Sequence, residues 1–105
     1  MEPLVLVVTL EVRREAAGEF RAYETAAARI MTAYGGRIER EIEVESEAGA
    51  STFREIHIVS FPDGAALDAY RRDPELASLA AMRERAVEST IVVRGRDRKF
   101  SYSFQ

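Results

Sequence analysis

The 105-residue sequence predicts an α+β domain in which two helices cover one face of a four-stranded antiparallel sheet. Two patterns carry this prediction. In four segments the apolar residues are nearly continuous or alternate with polar ones, as they do in strands. In two others they recur every three to four residues, as they do on one face of a helix. These segments follow one another in the order βαββαβ, which is the ferredoxin-like arrangement.

The first half of the chain predicts a strand, a helix and a second strand. Residues 3–12, PLVLVVTLEV, are apolar and β-branched, which is typical of a strand buried on both faces. The helix is expected from about Glu15 to the glycine pair Gly35-Gly36, which supplies the C-cap. Its apolar stripe consists of Phe20, Tyr23, Ala27, Ile30 and Tyr34.

Residues 37–47, RIEREIEVESE, predict a half-solvated strand at a sheet edge. One face of this strand is expected to carry Ile38, Ile42 and Val44, and the other Glu39, Glu41, Glu43 and Glu45. We interpret the glutamates as a solvated strand edge rather than a cation site, because no other segment supplies convergent ligands.

The second half predicts two strands joined by a helical crossover. The third strand is expected at residues 52–61, TFREIHIVSF, and Pro62 stops it. Asp63 is expected to cap a short helix, and Asp73-Pro74 to start a second helical segment with Asp as the N-cap. The apolar face of that segment consists of Leu76, Leu79, Met82, Ala86 and Val87.

The fourth strand is expected at residues 89–95, STIVVRG, and completes a single domain over residues 1–105. In the final residues Phe100, Tyr102 and Phe104 alternate with small polar residues. We therefore expect residues 96–105 to form a C-terminal tail or an additional strand.

The sheet face opposite the helices is also predicted to be apolar. Right-handed crossovers place both helices on the same face. In the third strand, however, Val59 and Phe61 point one way and Ile56 and Ile58 the other. An open apolar patch of this size is unusual on a soluble monomer. We therefore expect a homodimer in which a second copy covers this face around a two-fold axis.

Composition excludes several classes of function. The net charge of −3 argues against a nucleic-acid partner, because neutralising phosphates requires a basic surface. Without cysteine the chain can form no disulfide or thiolate metal site, and we expect no metal and no cofactor. The short apolar run after Glu2 predicts a strand rather than a signal peptide or a membrane span, so we expect a cytoplasmic protein with no membrane partner.

Three stretches share their pattern with a known bacterial family: FRAYETAAARIMTAYGGRIER, VSFPDGAALDAYRRDPEL and MRERAV. The clearest elements are the Tyr-Gly-Gly turn at residues 34–36, the step Phe61-Pro62, the Asp-Pro-Glu helix start and Arg83. They resemble domain of unknown function 1330, of the dimeric α/β-barrel superfamily, over residues 5–95. The resemblance implies a homodimer whose two sheets form a barrel-like core, with a small pocket in or beside each sheet.

Relatives in that superfamily include cofactor-independent monooxygenases, haem-degrading enzymes, muconolactone isomerases and ligand-sensing domains. The resemblance therefore leaves several activities open, and the named family itself has no settled activity.

His57, the only histidine, is the candidate catalytic residue. An imidazole titrates near neutral pH, and Glu55 lies close enough along the strand to orient it. No nucleophile or second base lies at a recognisable spacing, so the sequence contains no evidence for a triad. We favour a buried or interfacial histidine hydrogen-bonded to a hydroxyl or a backbone carbonyl. The sequence leaves open whether it lies beneath the helices or against the second copy.

Arg83, Tyr23 and Tyr70 join His57 as candidate ligand-binding residues. The helical neighbours of Arg83 are apolar, so its guanidinium is expected to bind an internal carboxylate or an anionic ligand, or to extend into water. Tyrosines on an apolar stripe are more often core residues whose hydroxyl reaches the surface. Each of these two can also present its hydroxyl to a pocket between helix and sheet.

Two classes of function follow from these residues. The first is a protein that binds a small, partly apolar molecule between the sheet and the helices. Within this first class, the alternative to simple binding is a cofactor-independent monooxygenase- or isomerase-like enzyme that uses His57. The second is a purely structural or sensing dimerisation module. The sequence leaves open whether the protein is an enzyme.

Overall fold

The computed structural model of the protein describes residues 3–98. The elements, in chain order, are β1 (Leu4–Arg13), a 3-10 turn (Arg14–Ala16), α1 (Ala17–Thr32), β2 (Arg37–Glu43), β3 (Thr52–Phe61), α2 (Gly64–Arg71), α3 (Pro74–Ala77), α4 (Ala80–Ala86) and β4 (Val87–Arg96). The strands form one antiparallel sheet in the order β2-β3-β1-β4. The predicted ferredoxin-like α+β fold is confirmed.

The central pair of strands, β1 and β3, separates the two faces of the sheet. The strands pair over their full length, from Leu4 opposite Phe61 to Arg13 opposite Thr52. Side chains alternate between faces along each strand, and paired residues share a face. The apolar side chains of β1 and β3 that are buried beneath the helices are those of Leu6, Leu10, Val12, Phe53, Val59 and Phe61. The predicted bounds of the third strand are confirmed.

The glycine pair that ends α1 performs two different tasks. Gly35 has a φ of 75°, the left-handed conformation expected after a helix C-terminus. At Gly36 a Cβ would lie 2.3 Å from the Met31 side chain and 2.6 Å from the Phe61 ring. A side chain at position 36 would therefore push the helix end away from the sheet.

Two aspartate caps organise the second crossover. The Asp63 carboxylate accepts a hydrogen bond from the Ala66 amide at 2.8 Å, and Asp73 accepts from the Glu75 amide at 2.7 Å. Both predicted caps are confirmed, as is the position of Pro74 in the first turn of α3.

The apolar helix predicted from Leu76 to Val87 is wrong in two respects. The helix ends at Ala77 and restarts at Ala80, where the Ser78 hydroxyl donates to the Glu75 carbonyl at 2.6 Å and competes for a backbone acceptor. Val87 is extended rather than helical, because it pairs with Val12 as the first residue of β4 and is buried there.

A β-bulge in β2 overturns the predicted alternation of that strand. Ile38 pairs with Val59 and Arg40 with Ile58, so Glu39 is an inserted residue without a partner of its own. Ile38 therefore faces the helices, whereas Ile42 lies on the opposite face. Glu41 pairs with His57 and lies on the helix-facing side of the sheet, although its side chain stays exposed.

The open sheet face carries exposed apolar side chains, as predicted. Val7 is 38% exposed, Ile42 40%, Val93 58% and Ile91 62%. All four lie on the face that the helices leave uncovered, by the register of the sheet.

The aromatic residues of the predicted tail strand, Phe100, Tyr102 and Phe104, lie outside the described residues. Among residues 3–98, no helix is long and apolar enough to cross a membrane.

Candidate functional site

A cavity of about 260 Å³ lies between the sheet and the helices. All four predicted ligand-binding residues, His57, Arg83, Tyr23 and Tyr70, line this cavity. Most of the other lining residues are apolar and include Leu6, Val8, Leu10, Phe20, Met31, Val59, Leu67 and Val92. A mainly apolar wall with a few convergent polar groups is typical of small-molecule sites. The structure thus brings the four residues together, and their role in binding stays a prediction.

One end of the cavity is cationic. Arg83 on α4 is half-buried, and its Nη2 donates to the Thr90 hydroxyl on β4 at 2.5 Å. Within residues 3–98 no carboxylate lies within 4.0 Å of the Arg83 guanidinium, so the internal ion pair considered from the sequence is not formed there. Burial raises the pKa of Tyr70, Tyr23 raises it further, and the charge of Arg83 partly offsets both. Tyr70 is therefore a neutral phenol that can donate a hydrogen bond.

The other end of the cavity contains His57. It lies on β3 beneath the helices, is 6% exposed, and its ring centroid is 6.4 Å from that of Phe20. Its Nε2 lies 2.8 Å from Glu55 Oε1. The histidine is thus buried and hydrogen-bonded, as favoured from the sequence, but its partner is a carboxylate rather than a hydroxyl or a backbone carbonyl.

Glu55 is a buried carboxylate that two basic side chains keep ionised. Burial by itself would raise the pKa of Glu55, but hydrogen bonds from Arg21 and His57 lower it below its usual value. Arg21 Nη2 lies 2.5 Å from Glu55 Oε2. Because an ionised carboxylate only accepts hydrogen bonds, His57 Nε2–H is the donor to Glu55 Oε1.

Glu24 on α1 is a site residue that the sequence reasoning missed. Its Oε1 lies 3.2 Å from Arg21 Nη1 and its Oε2 lies 3.1 Å from His57 Nε2. Burial raises the pKa of Glu24 to about 8, with further increases from Glu41 and Glu55 and an opposing effect of Arg21. Oε2 is buried and has no hydrogen-bond partner in the described part of the chain.

Glu41 completes a cluster of four side chains. Its Oε1 lies 3.8 Å from His57 Nε2. Glu24, Glu41, Glu55 and His57 each contribute one ligand atom to a group within 4.8 Å of one another. The bulge at Glu39 turns Glu41 into this cluster, and bulges commonly redirect side chains in this way.

One signal in the sequence could have revealed Glu24. It lies four residues after Phe20 and three before Ala27, so it occupies the buried stripe of the helix. A carboxylate on such a stripe needs partners.

The cationic end and the histidine end of the cavity lie two strands apart. Val92 on β4 pairs with Val8 on β1, which pairs in turn with His57 on β3. Neighbouring strands lie about 4.8 Å apart, so β4, which holds Arg83 through Thr90, lies about 10 Å across the sheet from β3, which carries His57.

Solved structures of three proteins share this architecture. A protein of unknown function from Rhodopseudomonas palustris has a TM-score of 0.74 at 20% identity, with 94% of this chain and 85% of that chain covered. An uncharacterised NIPSNAP domain protein from Burkholderia xenovorans has a TM-score of 0.69 at 16% identity, covering 95% and 99%. SnoaB, a cofactor-independent oxygenase from Streptomyces nogalater, has a TM-score of 0.67 at 13% identity, covering 95% and 97%.

At these identities the likeness shows the fold alone, a four-stranded antiparallel sheet covered by helices on one face. Comparison with curated proteins found no match. The family described as Domain of unknown function (DUF1330) matches residues 5–96, which include every described residue of the cavity wall and of the glutamate–histidine cluster. The chain therefore belongs to the DUF1330 family.

Proposed function

We propose that this protein binds a small, partly apolar molecule with an anionic oxygen in the cavity between the sheet and the helices. The observation that carries the proposal is the position of Arg83. Its half-buried guanidinium lines an apolar cavity, with Thr90 as its hydrogen-bond acceptor and no carboxylate within ion-pair distance in residues 3–98. A half-buried guanidinium beside apolar side chains gains from pairing with an anion, and an anionic ligand would supply that partner.

The dimensions of the cavity limit the ligand. Its volume of about 260 Å³ lies below the range of roughly 300 to 1,000 Å³ that is usual for drug-sized molecules. A single ring or a short branched chain therefore fits best. The anionic oxygen would contact Arg83 and Tyr70, and a hydroxyl or carbonyl group at the other end would face His57.

The cavity also favours binding over a purely structural or sensing dimerisation role. Protein interiors are normally close-packed, and an unfilled space lined by apolar side chains costs stability. A domain without a ligand would gain stability by filling this volume with larger side chains. Retaining the volume next to Arg83, Tyr70 and His57 is consistent with a binding site.

An enzyme that uses His57 is the second candidate, and it is less well supported. His57 lines the cavity and Glu55 orients its ring, which suits a base. However, Nε2–H is donated to Glu55, so Nδ1 is the nitrogen that would have to accept a proton from a substrate. The likeness to SnoaB supports the fold and adds no catalytic residue.

We further infer that the protein is a homodimer in which the two open sheet faces pack together. Support comes from the exposed apolar side chains on that face, above all Ile91 and Val93. Solvent-exposed apolar patches on soluble proteins commonly mark interfaces, and a two-fold axis lets the same patch cover itself.

Calorimetric titration with small aromatic acids and their uncharged methyl esters tests the binding proposal. We expect 4-hydroxybenzoate to bind saturably and its methyl ester to bind about tenfold more weakly or worse, because the ester lacks the charge that pairs with Arg83. Equal binding of acid and ester would contradict a role for Arg83, and no binding by any acid of this size would contradict the proposal.

A further inference from the structure

We propose that Glu24, Glu41, Glu55 and His57 form a binding site for a divalent transition-metal ion. The site borders the cavity, since Glu24 and His57 also line its wall. It is independent of the organic ligand proposed above, because all its donor atoms belong to the chain.

The separations of the donor atoms suit a metal ion. From His57 Nε2 the carboxylate oxygens lie at 2.8 Å for Glu55, 3.1 Å for Glu24 and 3.8 Å for Glu41. Ligands about 2.0 to 2.2 Å from a metal such as Zn²⁺ are about 3 to 4.4 Å from one another, depending on the angle. The four donors therefore need only small side-chain movements to coordinate one ion.

Arg21 holds two of the carboxylates in a suitable orientation. It contacts Glu24 Oε1 at 3.2 Å and Glu55 Oε2 at 2.5 Å. The other oxygen of each carboxylate is left facing His57. Hydrogen bonds from neighbours that orient metal ligands in this way are a regular feature of metal sites.

In the cluster without an ion, one buried carboxylate oxygen has no hydrogen-bond partner among residues 3–98. His57 Nε2 carries at most one hydrogen, which Glu55 accepts, and Glu24 Oε2 is buried with no partner among residues 3–98. Both His57 and Glu55 have side chains more than nine-tenths buried. Three carboxylates and one guanidinium leave two negative charges when all are ionised, and a divalent cation neutralises them.

The donor set selects the class of metal. A neutral imidazole with carboxylates suits Zn²⁺, Mn²⁺, Fe²⁺ or Co²⁺, whereas Ca²⁺ and Mg²⁺ prefer oxygen ligands alone. Binding through Nε2 requires its lone pair, so the neutral ring coordinates as the Nδ1–H tautomer, and the hydrogen moves from Nε2 to Nδ1 by exchange with solvent. Entry is available through an acidic surface groove of about 270 Å³, lined by Arg21, Glu24, Glu41, Glu43 and Glu55.

The test uses untagged protein stripped with EDTA and dialysed, with the metal alone as the probe. Calorimetry should show one Zn²⁺ bound per chain. His57 is the only histidine, so its ring gives a single set of NMR signals, and Co²⁺ should shift or broaden that set strongly. Mg²⁺ should leave it unchanged.

Two matched variants separate coordination from general attraction to acidic groups. Glu41→Gln removes a ligand and should weaken Zn²⁺ binding at least about tenfold. Glu43→Gln removes one charge from the same groove but none from the cluster, so its effect should be small. Circular dichroism checks folding, and Glu24→Gln replaces Glu41→Gln if that variant does not fold.

Three results would overturn the inference: no saturable Zn²⁺ or Co²⁺ binding, equal losses in Glu41→Gln and Glu43→Gln, or unmoved His57 signals at saturating Co²⁺. None of these measurements uses the organic ligand, so a negative result would not contradict the proposal that the cavity binds one.

Discussion

Arg83 on α4 hydrogen-bonds the Thr90 hydroxyl on β4 at 2.5 Å, which holds the guanidinium at the wall of an apolar cavity. This contact connects the second crossover to an edge strand of the sheet. It leaves most of the five N–H donors of the guanidinium available to an anionic ligand. The binding proposal therefore predicts that ligand affinity depends on the charge of Arg83.

The open sheet face predicts a dimer that one substitution weakens. Ile91→Glu would bury an unpaired charge in the interface, at a cost of about 2 kcal/mol or more, which corresponds to roughly thirtyfold weaker association. Ala81→Glu is the matched control, because Ala81 is exposed on the helical layer. Analytical ultracentrifugation at micromolar concentration should show a dimer for the wild type and the control, and dissociation for Ile91→Glu. A wild-type monomer would disprove the assembly.

The cap of α2 predicts a local loss of stability. Asp63→Ala removes the carboxylate that accepts from the Ala66 amide, and should lower the free energy of unfolding by about 1 kcal/mol. Asp68→Ala, at an exposed position within the same helix, removes the same charge without removing a cap. Urea denaturation compares the two variants. Equal destabilisation by both would show that the hydrogen bond at Asp63 adds nothing.

The pKa of Glu24 predicts how the stability of metal-free protein depends on pH. Its folded-state pKa, raised to about 8 from an ordinary value of 4.5, means that the folded state holds the proton more tightly than the unfolded state. This contribution is complete below about pH 4.5 and is lost as the pH rises towards 8. Glu55 acts with the opposite sign. Because its pKa is lowered, its contribution is lost only as the pH falls below the ordinary value of 4.5.

The expected result is a free energy of unfolding in EDTA that decreases between about pH 5 and about pH 8, measured by urea denaturation. Glu24→Gln, which cannot ionise, should make this profile flatter. A wild-type profile that stays level across the range, or an unchanged slope in Glu24→Gln, would contradict the assignment.

Local patterns were sufficient to predict most of the fold. The run of strand-forming residues in β3 and the proline that follows it predicted its bounds, and both aspartate caps followed from Asp residues placed directly before short helices. Those signals depend on neighbouring residues in the chain. The break after α3 was missed because the helical spacing of apolar residues continues across it, from Leu76 to Leu79. A hydrogen bond from the Ser78 side chain interrupts the helix there. At the other end of the segment, Val87 is extended because it pairs with Val12 in the sheet.

The cluster could not be predicted in the same way, because its members come from three elements. Glu24 lies on α1, Glu41 on β2, and Glu55 and His57 on β3. Only Glu55 and His57 are close in the sequence, and that pair was anticipated. The position of Glu41 depends on the bulge at Glu39, which no residue pattern in β2 indicated.

The most direct test of the binding proposal is an NMR titration of 4-hydroxybenzoate into the wild type, Arg83→Met and Arg85→Met, all in EDTA. Arg85 lies on the same helix but pairs with Glu19 at 2.8 Å and does not line the cavity. We predict saturable shifts at α4 and β4 in the wild type and in Arg85→Met, and binding weaker by about tenfold to a hundredfold in Arg83→Met. Equal affinity in all three proteins, or no binding in any, would contradict the account.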